Sequence, residues 1–276
     1  MSFFLPYLSN RILYVFGYPA IYLFDWFLIS WVGKIIALFL IVFPETKRLK
    51  LNKVTSIYIF LLTIFLTEYF ARIIFVLSHY FLHHDLSKFH NNYGTLGRVY
   101  FGAFIGSLLA IWLGTLIGKE RKNIGKYFDI FLIYQIVTLF AYRIGNFMSH
   151  SHVGKITHLP WGIYYQGQLR HEPSMYELIS LAILFCIVWP LRKKINPPGL
   201  LSIIIIGWIS ASRFIIDFFR DIDVPNSNFR LGNGLTLNQA MFALLFLACL
   251  ALAVSIIKKH GANVSSKSNS NNQPEN

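Results

Sequence analysis

The sequence predicts an all-α integral membrane protein with about seven transmembrane helices. Hydrophobic residues make up 55% of the 276 positions and charged residues only 13%. The mean hydropathy of +0.52 lies above the range of soluble domains. In addition, seven apolar runs alternate with short polar or basic segments, and they have about the length needed to cross roughly 30 Å of hydrocarbon.

The predicted spans follow one another along most of the chain. The fifth is the shortest, and Pro190 sets its end because proline cannot continue a helix. The seven runs extend over Tyr18 to Phe43, Val54 to His79, Val99 to Gly118, Tyr127 to Met148, Ser174 to Trp189, Leu200 to Phe219 and Leu237 to Ile257.

The basic residues behind the net charge of +13 gather in alternate loops, a pattern that indicates the topology of a membrane protein. Binding of nucleic acid is therefore not expected. One set of loops, together with the C-terminal tail, holds 14 of the 25 lysines and arginines, and the other set holds seven. By the positive-inside rule the richer set is cytoplasmic. The N-terminus is therefore predicted to be extracytoplasmic and the C-terminus cytoplasmic.

The chain is predicted to have two parts. Residues 1–260 form a polytopic transmembrane domain with extracytoplasmic loops, and no removable signal peptide is expected because the N-terminus lacks a basic n-region. Residues 261–276 are rich in Ser, Asn, Gln and Lys, which predicts a disordered cytoplasmic tail. Both cysteines, Cys186 and Cys249, fall within predicted spans, so thiol chemistry would require a thiol from a substrate.

Three arginines lie inside apolar stretches, where a charge is costly and usually functional. Arg72, Arg143 and Arg213 belong to different predicted spans, and each lies toward the extracytoplasmic end. Together they predict one buried anion site that opens to the extracytoplasmic side. One guanidinium group can bind two phosphate oxygens at once, so an anionic lipid head group is the expected ligand.

Helical spacing brings further polar side chains toward these arginines. Asn146 and His150 follow Arg143 at i+3 and i+7, and Asp217 and Arg220 follow Arg213 at i+4 and i+7. The alternative is that Arg213–Asp217 and Glu68–Arg72 are structural pairs that hold helices in register. Arg143 has no acidic residue three or four positions away, so its counter-ion has to come from another helix or from a ligand.

Three motifs in this region are similar to those of bacterial phosphatidylglycerol:prolipoprotein diacylglyceryl transferases. The family motif Gly-Arg-x-Gly-Asn-Phe-x-Asn-x-Glu resembles the run from Tyr142 to Ser151, with Arg143, Gly145 and Asn146 in place. The family's His-Pro-Ser-Gln-Leu-Tyr-Glu resembles His171 to Glu177, which includes Tyr176. Its Gly-x-x-Arg-x-x-x-Glu-x-x-Arg resembles Ser210 to Arg220. The resemblance covers roughly residues 70 to 245.

This resemblance implies a transferase of the bacterial cytoplasmic (inner) membrane that acts in lipoprotein biosynthesis. The lipobox cysteine thiol of an exported prolipoprotein, presented with its signal peptide, would attack the glycerol carbon of phosphatidylglycerol and release glycerol 1-phosphate. Arg143 and Arg213 would stabilise the leaving phosphate. The substrate-binding residues implied are Arg72, Gly145, Asn146, Tyr176, Glu177, Asp217 and Arg220. No metal or diffusible cofactor is expected.

Two departures from the family pattern affect the proton acceptor. Phe101 stands where the family has a histidine, often suggested as a base, and Ser149 and Ser151 replace the asparagine and glutamate after Arg143. His150 is the first candidate for a relocated base because it shares a helix face with Arg143. His152, His158 and His171 are further candidates, while the alternative for each is an ordinary surface histidine.

Other functions stay open at the level of the sequence. A non-catalytic relative that binds lipid would explain the retained arginines and the lost histidine, and so would a related transferase with another donor or acceptor. A transporter is disfavoured because broken midplane helices rich in Gly and Pro are not evident. The loop from Pro160 to Tyr165 fits an interfacial anchor, and it could also cover the lipid or receive the precursor peptide.

Overall fold

A computed structural model describes residues 11–15, 18–24, 28–83, 100–148, 154–165, 167–221 and 234–271. Within these ranges the chain is mostly helical, and seven helical segments have the length and hydropathy needed to cross a membrane. They extend over Ile29–Arg48, Lys53–Leu77, Tyr100–Ile117, Arg121–Met148, Pro173–Leu191, Leu200–Phe219 and Leu237–His260. The predicted fold class, a membrane protein with about seven transmembrane helices, is confirmed.

The regular elements of the described residues are helices of different lengths and four short strands. The helices are α1 (Leu28–Ala37), α2 (Phe43–Arg48), α3 (Lys53–His83), α4 (Tyr100–Ile117), α5 (Ile124–Met148), α6 (Pro173–Leu191), α7 (Leu200–Ile216) and α8 (Leu237–Asn271). A π-helical segment, Leu38–Val42, joins α1 to α2, and 3-10 turns cover Arg121–Asn123 and Asp217–Phe219. The strands are β1 (Arg11–Val15), β2 (Tyr18–Phe24), β3 (Ile163–Tyr165) and β4 (Gln168–Arg170).

The start of the first span was predicted too early. The sequence suggested a helix from Tyr18, but Tyr18–Phe24 forms β2, which pairs antiparallel with β1, and the span begins at Ile29. Pro19 has no N–H for a helical hydrogen bond, and the tyrosines and isoleucine around it favour extended backbone. Apolar composition alone therefore overestimated the helix.

The chain divides into two compact units, residues 38–131 and residues 1–37 with 132–276. In the first of these, α4 packs along α3 through glycines spaced at multiples of four residues. A Cβ atom on Gly102 or Gly106 would lie 2.3 or 2.2 Å from the carbonyl oxygen of Phe70 or Leu66 on α3. Such small residues let two membrane helices approach backbone to backbone.

Gly106→Ala is expected to lower the free energy of unfolding by about 1–3 kcal/mol, because the added methyl group would push the α3 backbone away. Gly207→Ala on α7 is the matched control, since its Cβ would meet Cys249 Cβ at an ordinary 3.6 Å. Detergent-solubilised protein titrated with a denaturing detergent gives both values. Equal stability for the two variants would contradict the close packing of α3 and α4.

In the other unit, α7 packs against α6 and α8, and a small β-structure joins α5 to α6. The strands β3 and β4 pair antiparallel, and isolated bridges join Ile156 to Arg170 and Gly154 to Arg220. Arg170 Nη1 also donates to Gly154 O at 3.1 Å and to Asp221 Oδ2 at 2.6 Å. These contacts join the loop between α5 and α6 to Asp221, which follows α7 and its 3-10 turn.

The last helix, α8, begins with a reciprocal cap and continues to Asn271. Thr236 N donates to Gln239 Oε1 at 2.9 Å, and Gln239 N donates to Thr236 Oγ1 at 3.0 Å. The helix therefore runs into the polar segment after residue 260. The disorder and the cytoplasmic location expected for residues 261–276 stay predictions.

Candidate functional site

The centre of the candidate site is a buried carboxylate, Glu177, in the second turn of α6. This helix begins where Glu172 caps it by accepting a hydrogen bond from Ser174 N at 3.3 Å, with Pro173 in the first turn. The Glu177 residue is 4% exposed. Burial of a carboxylate is costly unless a cationic partner compensates its charge.

Two arginines from two other helices supply that partner. Arg143 Nε, near the end of α5, pairs with Glu177 Oε2, and Arg213 Nη1, near the end of α7, pairs with Glu177 Oε1. Arg143 is 3% exposed. The counter-ion that the sequence required for Arg143 thus comes from α6. The guanidinium of Arg213 also lies 5.7 Å from the ring centroid of Phe242 on α8.

A second ion pair, Asp217 with Arg220, lies on the segment that follows α7. Asp217 is buried, and its Oδ1 accepts from Arg220 Nη1 at 3.3 Å, whereas its Oδ2 accepts from Thr236 Oγ1 at 2.6 Å. Thr236 is fully buried and is held by the cap of α8. Asp217 therefore joins the end of the α7 segment to the start of α8.

Thr236→Val is expected to lower the free energy of unfolding by about 1–3 kcal/mol, because it removes the hydroxyl donor to Asp217 and the acceptor for Gln239 N. Thr236→Ser keeps both hydrogen bonds and is expected to remain close to the parent protein. The stabilities can be compared in detergent as above. A valine variant as stable as the parent, with a loss of stability confined to the serine variant, would mean that the methyl packing, and not the hydroxyl, stabilises this junction.

The cluster holds more arginines than carboxylates. Three guanidiniums, those of Arg143, Arg213 and Arg220, face two carboxylates, those of Glu177 and Asp217. These five side chains therefore carry a surplus of one positive charge in partly or fully buried positions. Buried charges cost several kcal/mol each to desolvate unless they are paired, and here each carboxylate has an arginine partner.

The other residues predicted for the site are distributed as follows. Gly145 and Asn146 are buried on α5, and Asn146 follows Arg143 by three positions on the same helix face. Arg72 lies on α3 in the unit of residues 38–131, where its Nη2 donates to Glu68 Oε1 at 2.9 Å. The Glu68–Arg72 pair that the sequence suggested is therefore present. His150 lies outside the described residues, as do Ser149, Ser151 and His152.

An aromatic network borders the cluster on the side of the loop before α6. Trp161 Nε1 donates to the Tyr176 hydroxyl at 3.2 Å, and that hydroxyl shares a hydrogen bond of 2.7 Å with His171 Nδ1. The His171 and Phe219 rings lie with their centroids 5.0 Å apart. Tyr176 precedes Glu177, and Phe219 follows Asp217 by two residues. The network therefore contacts the same two segments that carry the buried carboxylates.

The pKa of His171 is lowered from its usual value by burial first and by the positive charge of Lys155 second. Both effects disfavour the imidazolium form. His171 is thus neutral near pH 7. His158, in the same loop, is exposed.

Two functional contacts were not anticipated from the sequence, although each has a local signal. The spacing of Thr236 and Gln239 matches a capping box, Thr-x-x-Gln, just before an apolar run. Trp161 was interpreted as an interfacial anchor, and its side chain is 54% exposed in keeping with that, yet its indole N–H also holds Tyr176. The partner of Trp161 is distant in sequence, so only the fold reveals it.

Comparison with known proteins gives a consistent result. A model of the family described as prolipoprotein diacylglyceryl transferase matches residues 12–255. A phosphatidylglycerol–prolipoprotein diacylglyceryl transferase of Campylobacter jejuni is 32% identical over 167 residues, 59% of each chain. The protein of the same name from Wolinella succinogenes is 30% identical over 175 residues, 62% of each chain. That from Campylobacter lari is 32% identical over 173 residues. The matches thus span about three fifths of the length of these relatives.

Proposed function

We propose, since this chain belongs to the prolipoprotein diacylglyceryl transferase family, that it is a transferase that moves a diacylglyceryl group from phosphatidylglycerol to a prolipoprotein. The acceptor would be the lipobox cysteine thiol of an exported precursor, held with its signal peptide. The names of the Campylobacter jejuni and Wolinella succinogenes relatives specify phosphatidylglycerol and prolipoprotein. For this chain, the proposed partners are phosphatidylglycerol in the membrane and the cysteine thiol of the prolipoprotein.

The reaction is a substitution at carbon. The thiol loses its proton, and the sulfur forms a thioether bond to the terminal glycerol carbon of the diacylglyceryl group. The bond from that carbon to the phosphate oxygen breaks, and its electron pair leaves on glycerol 1-phosphate. The phosphate group therefore gains one negative charge. Fixed cations near this oxygen would lower the barrier, because they bind the product-like charge more strongly than the starting diester.

The observation that carries this proposal is the pair of arginines on one buried carboxylate. Glu177 holds Arg143 and Arg213 in fixed positions before any lipid arrives, so little reorganisation is needed when charge develops on phosphate. We assign Arg143 and Arg213 to binding and stabilising the phosphate.

The remaining site residues have supporting roles in the proposal. Arg220, held by Asp217, would contact the head group beside Arg213, and the substrate-binding role of Arg72 stays a prediction. Asn146 and Tyr176 offer polar groups to the lipid, and Gly145 leaves room on α5. Glu177 and Asp217 orient the guanidiniums. His150 stays a prediction for the proton acceptor.

A second function is favoured by Phe101, which stands where related sequences are expected to have a histidine. A protein that keeps the phosphate-binding arginines and lacks a proton acceptor would bind phosphatidylglycerol and not transfer its acyl-glyceryl group. A related transferase with another donor or acceptor is the remaining alternative.

Transfer of labelled diacylglyceryl from phosphatidylglycerol to a lipobox peptide by the purified protein tests the proposal directly. A peptide with serine in place of cysteine is the control for the thiol, and phosphatidylethanolamine is the control for the donor. We expect a thioether product from the cysteine peptide and phosphatidylglycerol alone. Saturable phosphatidylglycerol binding with no product would instead support the non-catalytic function.

The proposed location is the bacterial inner membrane, with the N-terminus and the Arg143–Arg213 cluster on the extracytoplasmic side. In a variant without native cysteines, His158→Cys in the exposed loop should react with a membrane-impermeant maleimide in intact cells. Lys258→Cys, near the end of the last span, should react only after the membrane is opened. The reverse pattern would invert the topology and contradict the proposal.

A further inference from the structure

The proposed reaction needs a group that accepts a thiol proton, and the charged side chains of the cluster do not suit that task. The guanidiniums of Arg143, Arg213 and Arg220 remain protonated in proteins. Glu177 and Asp217 already accept from arginines. A neutral imidazole is the usual proton acceptor near pH 7.

Among the described residues, His171 is the histidine that contacts the segments of this cluster. Its ring is held by the 2.7 Å hydrogen bond between Nδ1 and the Tyr176 hydroxyl and by its packing against Phe219. Its backbone is held as well, since His171 N donates to Lys155 O at 2.9 Å and Gly154 packs against the His171 carbonyl. A base whose ring is oriented by a further group is the usual arrangement for activating a nucleophile.

We propose, resting on the function proposed above, that His171 accepts the proton of the substrate thiol at Nε2 and that Tyr176 positions its ring. In this state Nδ1–H donates to the Tyr176 oxygen, whose other lone pair accepts from Trp161 Nε1. Nε2 then carries no hydrogen, and its lone pair can accept the thiol proton. The Tyr176 O–H, with both oxygen lone pairs occupied, is left to donate to an oxygen of the lipid head group.

The proton balance closes within the reaction. The thiol proton passes to His171 Nε2 as the sulfur attacks the glycerol carbon. The carbon–oxygen bond breaks, and the departing phosphate gains a negative charge. His171 then returns its proton to the phosphate of the released glycerol 1-phosphate or to water, and it is neutral again for the next turnover.

The surroundings of His171 favour the neutral form in which it accepts a proton. Lys155 faces it from the preceding loop, Tyr176 contacts it from α6, and Phe219 brings no charge. Its ionisable neighbours in the chain are Glu172 and, one residue before, Arg170. Burial and Lys155 lower the pKa of His171, so kcat should fall only at a pH below the ordinary histidine range.

The test compares His171→Ala, His171→Asn and His158→Ala in the peptide assay over a range of pH. We expect kcat to fall about 100-fold or more in both His171 variants, because general-base catalysis contributes that much. Their phosphatidylglycerol binding should remain. Asparagine keeps an N–H near the position of Nδ1 and cannot accept the proton. The His171→Asn variant should therefore preserve the fold without restoring kcat. Added imidazole should restore part of the rate of His171→Ala and remove no activity from the parent.

Other outcomes separate this proposal from the one on which it rests. If His171→Asn restores kcat, His171 has a structural role and the proposal is wrong. If His150→Ala loses the rate and its acid dependence while His171→Ala keeps both, His150 is the base. If the parent binds phosphatidylglycerol and makes no product, the transferase function itself is refuted, and the role of His171 with it.

Discussion

Arg143→Ala is expected to lower kcat/KM for diacylglyceryl transfer by about 100- to 1000-fold, the usual effect of removing one preorganised donor from a developing negative charge. Arg143 is buried against Glu177, so the variant loses a fixed cation at the phosphate. It also leaves Glu177 with less compensation for its burial. Arg143→Lys keeps the charge and should recover only part of the rate, because an ammonium cannot serve a carboxylate and a phosphate with the same fork geometry.

The measurement is initial rates of labelled lipid transfer to a lipobox peptide, at several phosphatidylglycerol concentrations. Arg48→Ala is the matched control, since Arg48 also pairs with a carboxylate, Glu45, but lies at the end of the first span and outside the proposed machinery. That variant should transfer at the parent rate. A parent-like rate for Arg143→Ala would remove Arg143 from the mechanism.

Glu177→Gln is expected to lower the free energy of unfolding by about 3–5 kcal/mol, as is typical when one partner of a buried ion pair is removed. The substitution conserves shape and removes the shared counter-charge of Arg143 and Arg213. Both guanidiniums would then be held near each other with their repulsion uncompensated. Transfer should also fall, because the arginines lose the group that orients them.

Unfolding of the detergent-solubilised protein measures this effect, with Glu68→Gln as the control. Glu68 also pairs with an arginine, Arg72, but both side chains are more than one third exposed, so its loss should cost no more than about 1 kcal/mol. Phosphatidylglycerol should restore stability to Glu177→Gln more than phosphatidylethanolamine does, because an anionic head group can replace the missing carboxylate. Equal costs for the two variants would show that Glu177 is no central counter-ion.

The order and number of the membrane spans could be predicted because hydropathy and length determine which segments can cross a bilayer. The prediction failed where a local feature overrode composition, at Tyr18–Phe24. There the pairing of β2 with β1 satisfies the backbone in place of helical hydrogen bonds. Pro19 was the available sign of this, and the apolar residues around it obscured that sign.

The candidate site could be predicted in its residue types and only partly in its contacts. Arg143, Glu177 and Arg213 were each expected, and the absence of a nearby acid in sequence required a remote counter-ion for Arg143. The structure pairs Arg213 with Glu177 and Asp217 with Arg220, and the sequence specified neither pair. The catalytic and binding roles stay predictions.

The sequence by itself determined that this protein is a multi-pass membrane protein and that arginines lie within its spans, since these follow from hydropathy and from the cost of charge in lipid. The tertiary structure alone decided that one carboxylate, Glu177, serves two arginines from different helices, and that Thr236 and Trp161 hold Asp217 and Tyr176. Such contacts join residues up to 36 positions apart. Helical periodicity predicts which residues share a face of one helix, but only the packing of the helices determines which faces meet.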